Sequence, residues 1–134
     1  MVTQNVNNSN NLSGKMAEIY ANQTHSDVIL VVDSREYPAH RNILCASSTV
    51  FDRMLQNGAW AESNKRKIPL HEQEECHAVF EDFLKYLYTG RITLTLDNVQ
   101  AIMALADKYD VQDLQESGNL FIHDFQHLTC KYHT

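Results

Sequence analysis

Several side chains along the chain could do chemistry. His71, Cys76 and His77 lie close together, as do His127, Cys130 and His133, and imidazole with thiolate is a zinc-binding combination. Neither group has the paired CxxC or HxxxH spacing that closes a tetrahedral site, so both read as solvated histidines beside a core or surface cysteine. Cys45 follows Leu44 in an apolar stretch, where a thiol packs and stays inert. Ser47, His40 and Asp52 hold the three residue types of a hydrolytic triad, but no nucleophile elbow surrounds Ser47. Glu72, Glu74 and Glu75 precede a predicted helix and suit its positive N-terminal end. The triplet Lys65-Arg66-Lys67 reads as the charged start of a strand edge. These residues predict no enzyme, no cofactor and no metal.

Composition narrows the classes further. The 134 residues make one domain by length, with 11 Lys plus Arg against 17 Asp plus Glu and a net charge of -6. A chain this acidic offers little to displace phosphate counterions, so nucleic acid is not an expected partner. No apolar run approaches the ~18 residues of a membrane span. The start Met1-Val2-Thr3-Gln4-Asn5 has no basic segment followed by an apolar one, so no signal peptide is expected. Three scattered cysteines, Cys45, Cys76 and Cys130, predict reduced thiols and a cytoplasmic protein, with the nucleus as the alternative compartment. Triplets at Asn7, Asn11 and Asn22 fit the glycosylation pattern, but an Asn-rich start produces such triplets by chance.

The elements that must position any site follow from periodicity. Residues 1–11 read as a disordered polar leader, 12–125 as the domain, and 126–134 as a tail or the start of a further helical region. Leu12, Met16, Ile19 and Tyr20 recur at helical spacing and make 12–22 a one-faced helix that needs a partner surface. Val28-Ile29-Leu30-Val31-Val32 predicts a strand buried on both faces. Asp33-Ser34 turns it into a second strand over 35–38. Short helices follow over 39–46 and from Val50 to Leu55, split at Ser47-Ser48. A loop over 56–64 holds the single tryptophan, Trp60, and a strand follows from Lys65 to Leu70. Residues 71–75 lead into the expected longest helix, whose apolar face runs from Val79 to Tyr88 and which stops at Thr89-Gly90. Arg91 to Leu94 is a short strand or extended link, and Asp97 is the expected cap of the next helix. A last helix is expected to break near Gly118-Asn119. The class is α+β, a small mixed sheet wrapped by helices.

Four stretches resemble the BTB/POZ family in the right order. Ser26-Asp27-Val28 is similar to its first strand opening. Tyr37-Pro38-Ala39-His40-Arg41 through Ser47-Ser48 and Phe51 resembles its core signature. Phe83-Leu84-Lys85-Tyr86-Leu87-Tyr88-Thr89-Gly90 resembles its helix end, and Ala106-Asp107-Lys108-Tyr109-Asp110-Val111 with Leu114 its late helix pair. The resemblance implies the BTB/POZ fold with an extra N-terminal dimerisation helix, and function by binding. A homodimer is expected through Leu12, Met16, Ile19 and Tyr20, with Asp27 and His40 at or near the dimer core. The loop tripeptide Trp60-Ala61-Glu62 resembles the hydrophobic-x-Glu element of the branch that adapts substrates to cullin-RING ubiquitin ligases, although that branch more often has an aliphatic residue in place of Trp60. This implies a cullin scaffold as partner, with substrate held by regions outside this chain, which reads as a piece of a longer protein. The competing expectations are an oligomerisation module of a transcriptional regulator recruiting corepressors, and a secreted scaffold.

Overall fold

The computed structural model describes residues 2–56 and 65–132, with 56 and 127–132 as backbone alone. A three-stranded sheet has the order β2-β1-β3, from β1 (Val28–Val32), β2 (Arg35–Ala39) and β3 (Lys67–Leu70). The first pair is antiparallel and the second parallel, so the sheet is mixed. A two-residue connection pairs Val32 with Arg35, and both Asp33 and Ser34 adopt positive φ there, as a twisted hairpin turn demands. On β1, Val28, Leu30 and Val32 are buried, while Ile29 and Val31 on the other face are half-buried. The strand expected to be buried on both faces is therefore fully covered on one only.

Helices surround the sheet. They are α1 (Ser9–Asn22), α2 (Arg41–Ser47), α3 (Thr49–Gln56), α4 (Glu74–His77), α5 (Phe80–Thr89), α6 (Val99–Lys108) and α7 (Gln112–Tyr132). Phe51 stacks on Tyr109 at 4.5 Å, and Phe80, Phe83, Leu84, Ile102 and Leu114 complete a core joining α3, α5, α6 and α7 to β1.

Five local expectations change. Helix α1 starts at Ser9, because the Ser9 amide donates to Asn7 Oδ1 at 3.0 Å and Asn10 Oδ1 accepts from Arg91 at 2.6 Å. The segment expected to lead into the longest helix is split. Residues 78–79 form a turn between α4 and α5, in which the Val79 amide donates to the Cys76 carbonyl at 3.3 Å, and both Cys76 and Phe80 are buried on either side of it. The longest helix is α7. Residues 91–94, by contrast, take the extended-link form that was one of the two expected, with no ladder partner among the described residues. Asn98, not Asp97, stands at the start of α6, where it and Thr95 exchange side-chain to backbone hydrogen bonds at 2.8 and 3.1 Å.

The fifth change is at Gly118. Helix α7 runs through it unbroken, and a Cβ there would fall 1.8 Å from Met103 Sδ. The glycine lets α6 and α7 approach rather than ending a helix.

Candidate protein-interaction surface

Helix α1 lies along α5. Ser13 Oγ donates to the Thr89 carbonyl at 3.0 Å, and Tyr20 meets the Tyr88 ring edge-on at 5.1 Å. A helix turns 100° per residue, so the four apolar positions found by periodicity spread over a broad arc. The structure divides them. Met16 and Tyr20 pack against the domain's own core, whereas Leu12 is 60% exposed and Ile19 37%. The outward apolar surface of α1 is thus the pair Leu12 and Ile19.

The linker from α1 to β1 is braced from below. Gln23 and His25 take left-handed conformations, which steer the chain sharply after α1. Ser26 Oγ donates to the Ala39 carbonyl at 2.9 Å, and the Asp27 amide donates to the same carbonyl at 3.2 Å. Asp27 Oδ1 accepts from the Arg41 amide at 2.8 Å, which satisfies a free N–H in the first turn of α2. His40 is 7% exposed and is held on three sides. Its backbone amide donates to the Tyr88 hydroxyl at 2.9 Å. Its Nδ1 lies 2.7 Å from that same oxygen, and its Nε2 lies 2.5 Å from the Thr24 carbonyl. Both polar residues expected near the dimer core therefore make hydrogen bonds within their own protomer. Burial pushes the Tyr88 phenol up to about 12, against a lowering contribution from the His40 backbone bond, and burial raises Tyr20 as well.

Tyr88 and Thr24 join this cluster without having been singled out by sequence. Tyr88 counted as part of an apolar helix face and of the family-like helix end, with no role for its hydroxyl. The available signal was its hydroxyl, since a tyrosine facing a core needs a partner for it. Glu72 is another such case. Its side chain is 3% exposed, pairs with Lys108 Nζ at 3.0 Å and accepts from the Tyr109 hydroxyl, rather than serving the N-terminus of α4. Glu74 and Glu75 do stand in that first turn.

The residues that looked chemical do not assemble. His77 Nε2 meets the Glu72 carbonyl at 3.0 Å and Nδ1 lies 3.3 Å from Asp33, while Cys76 Sγ points to the Ala101 carbonyl. Among the described residues no group of three His, Cys, Asp or Glu side chains is placed to hold a metal ion. Cys45 and Cys76 are free thiols raised above the ordinary cysteine range by burial first and by nearby carboxylates next, which favours the unreactive protonated form. A groove of about 500 Å³ runs past Cys45, Ser47 and Asp52 to Asp110 and Asp113, but Asp110 is engaged by Thr49 at 2.6 Å and no catalytic set converges there. Among the described residues no helix is long and apolar enough to cross a membrane. Trp60 and Glu62, the expected cullin contacts, lie outside the described residues, and so does His133. His127 and Cys130 lie in α7 where only the backbone is described.

Comparison with known proteins decides the family. A profile of the BTB/POZ domain matches residues 16–126. The chain belongs to the BTB/POZ family. BTB/POZ domain-containing protein 9 of Drosophila melanogaster is 34% identical over 116 residues, covering 84% of this chain and 16% of that protein. Its human counterpart is 32% identical over 114 residues, covering 83% and 18%. Kelch-like protein 7 of Rattus norvegicus is 31% identical over 103 residues, covering 77% and 17%. The chain thus spans less than a fifth of these relatives. The BTB domain of human gigaxonin shares the fold, with a TM-score of 0.66 at 23% identity over 90% of this chain and 98% of that one.

BTB/POZ domains are protein–protein interaction modules, not a catalytic family. The motif stretches fall at the junctions of elements. Ser26-Asp27 opens β1, Tyr37 to Ser48 carries β2 into α2, and Tyr88-Thr89-Gly90 closes α5, with Gly90 at a positive φ of 72°.

Proposed function

We propose that this BTB/POZ domain works as a homodimeric adaptor that brings substrate proteins to a cullin-RING ubiquitin ligase, the substrate being held by parts of a longer protein. The observation that carries the reading is the place of Trp60-Ala61-Glu62. The tripeptide follows α3 within six residues and precedes β3, the position at which the cullin-adaptor branch carries its hydrophobic-x-Glu element. An aromatic anchor flanked by small residues and one carboxylate is a suitable interface hot spot. The outward pair Leu12 and Ile19 supports the dimer half of the reading.

Calorimetric titration against the N-terminal helical repeat of the cullin that takes BTB adaptors tests it. Wild-type protein should bind. Trp60→Ala should weaken binding by about 30-fold or more, the equivalent of losing an anchor worth about 2 kcal/mol. Glu62→Ala should cost less if its carboxylate sits at the rim. Light scattering should show both variants with the wild-type oligomeric state. Unchanged binding by Trp60→Ala would reduce the tripeptide to coincidence.

A further inference from the structure

The linker after α1 passes through a buried hydrogen-bond set in which, with the His40 ring carrying a single N–H, each group has one compatible role. The Thr24 carbonyl can only accept, so the His40 Nε2 facing it at 2.5 Å carries the ring hydrogen. Nδ1 of the neutral ring is then an acceptor, and the Tyr88 hydroxyl donates to it at 2.7 Å. The same hydroxyl oxygen accepts the His40 backbone N–H at 2.9 Å. The raised phenol pKa keeps that hydroxyl protonated and able to donate. One phenol thus satisfies two groups of His40, and His40 in turn holds the chain two residues beyond the end of α1. Ser26 and Asp27 tie the second half of the linker to Ala39 and Arg41, and the Ser26 amide reaches back to the Gln23 carbonyl at 3.3 Å, leaving Thr24 to the His40 ring. His25, at φ 62°, separates that half from Thr24. The Tyr88 ring also carries Tyr20 of α1 on its edge.

We propose that His40 and Tyr88 are positioning residues for α1, a clasp on Thr24 that fixes how the helix leaves the domain and therefore how Leu12 and Ile19 face a second copy. The consequence for assembly rests on the dimer reading above; the clasp on α1 does not. Removing the phenol oxygen leaves two buried groups of His40 without their partner, which loosens its hold on Thr24. A hydroxyl that merely stabilised the fold would loosen all elements together.

Amide hydrogen exchange on the whole chain separates the two cases. In Tyr88→Phe the α1 amides should exchange about ten-fold faster or more, while those of β1 and α6 change by less than about three-fold. Equal acceleration everywhere, or none in α1, overturns the proposal. On wild-type protein, nitrogen NMR of the His40 ring should show the Nε2–H tautomer, and the Nδ1–H tautomer would overturn the clasp even if the variant failed to fold. Light scattering on the same samples reads the dimer separately. A monomeric wild type with selective α1 loosening in Tyr88→Phe removes the dimer reading and keeps the clasp. A dimeric wild type whose Tyr88→Phe variant protects α1 normally removes the clasp and keeps the dimer.

Discussion

Glu72 shows how a single side chain can join distant segments. It stands just after β3, yet its carboxylate reaches Lys108 and Tyr109 at the end of α6. Lys108 Nζ also donates to the His71 carbonyl at 2.6 Å and lies 5.4 Å from the centre of the Tyr109 ring. The Tyr109 phenol is raised, first by burial and then by its bond to Glu72, so it stays a protonated donor at neutral pH. The two roles of the carboxylate can be separated. Glu72→Gln keeps an acceptor for Tyr109 and loses the ion pair with Lys108, which is partly solvated and so contributes little, and it should cost about 1 kcal/mol or less. Glu72→Ala also leaves the Tyr109 hydroxyl buried without a partner, and should cost about 2–3 kcal/mol. Urea unfolding midpoints of the two variants check this ordering, and equal losses would mean that water replaces the carboxylate at Tyr109.

Among the elements, the contact of α6 with α7 turns on Gly118. A methyl group there meets Met103 Sδ, the mobile end of a flexible side chain, so the cost of Gly118→Ala depends on whether Met103 can swing away. Alanine is also the better helix former by up to about 1 kcal/mol. A double-mutant cycle isolates the packing term. Gly118→Ala should be destabilising or neutral in the native background and stabilising once Met103→Ala has cleared the space, as thermal melts would show. The same contact explains what the sequence conceals. Glycine signals a break when only neighbours along the chain are considered, and its partner here is 15 positions away. The hairpin of β1 and β2 was legible because its signals are local, namely a run of five apolar residues, two turn residues and a returning strand. The motif stretches were legible as well, and with them the fold. The split between α4 and α5 was not, because the apolar spacing from Cys76 to Phe80 suits one continuous helix. Nor was the division of the α1 stripe, since periodicity reports which residues share a face but not which of them the core has already covered.

At the scale of the whole molecule, the net charge is carried outside α1. The chain carries a net charge of -6, yet α1 holds one lysine, Lys15, and one glutamate, Glu18, so its surface is neutral overall. Two copies meeting there would bring no large like-charge patch together, and their association should depend only weakly on salt. The apolar gain is limited as well. Fully burying a Leu or Ile side chain yields roughly 1.5–3 kcal/mol, and Leu12 and Ile19 are already about half covered in one protomer. Two such side chains from each copy contribute roughly 3–6 kcal/mol, at or below the roughly 4–15 kcal/mol cost of association. If two copies pair through α1, polar and backbone contacts along it must supply the remainder, so such a dimer should be concentration-dependent and fail when the apolar pair is lost. Leu12→Asp combined with Ile19→Asp should give the mass of one chain by light scattering at micromolar concentrations where wild-type protein gives twice that mass. Because both side chains point outward, the thermal transition of the double variant at low concentration should stay close to that of the dissociated wild type. A double variant that remains dimeric would move the interface off α1, and one that unfolds would mean that this face packs inward.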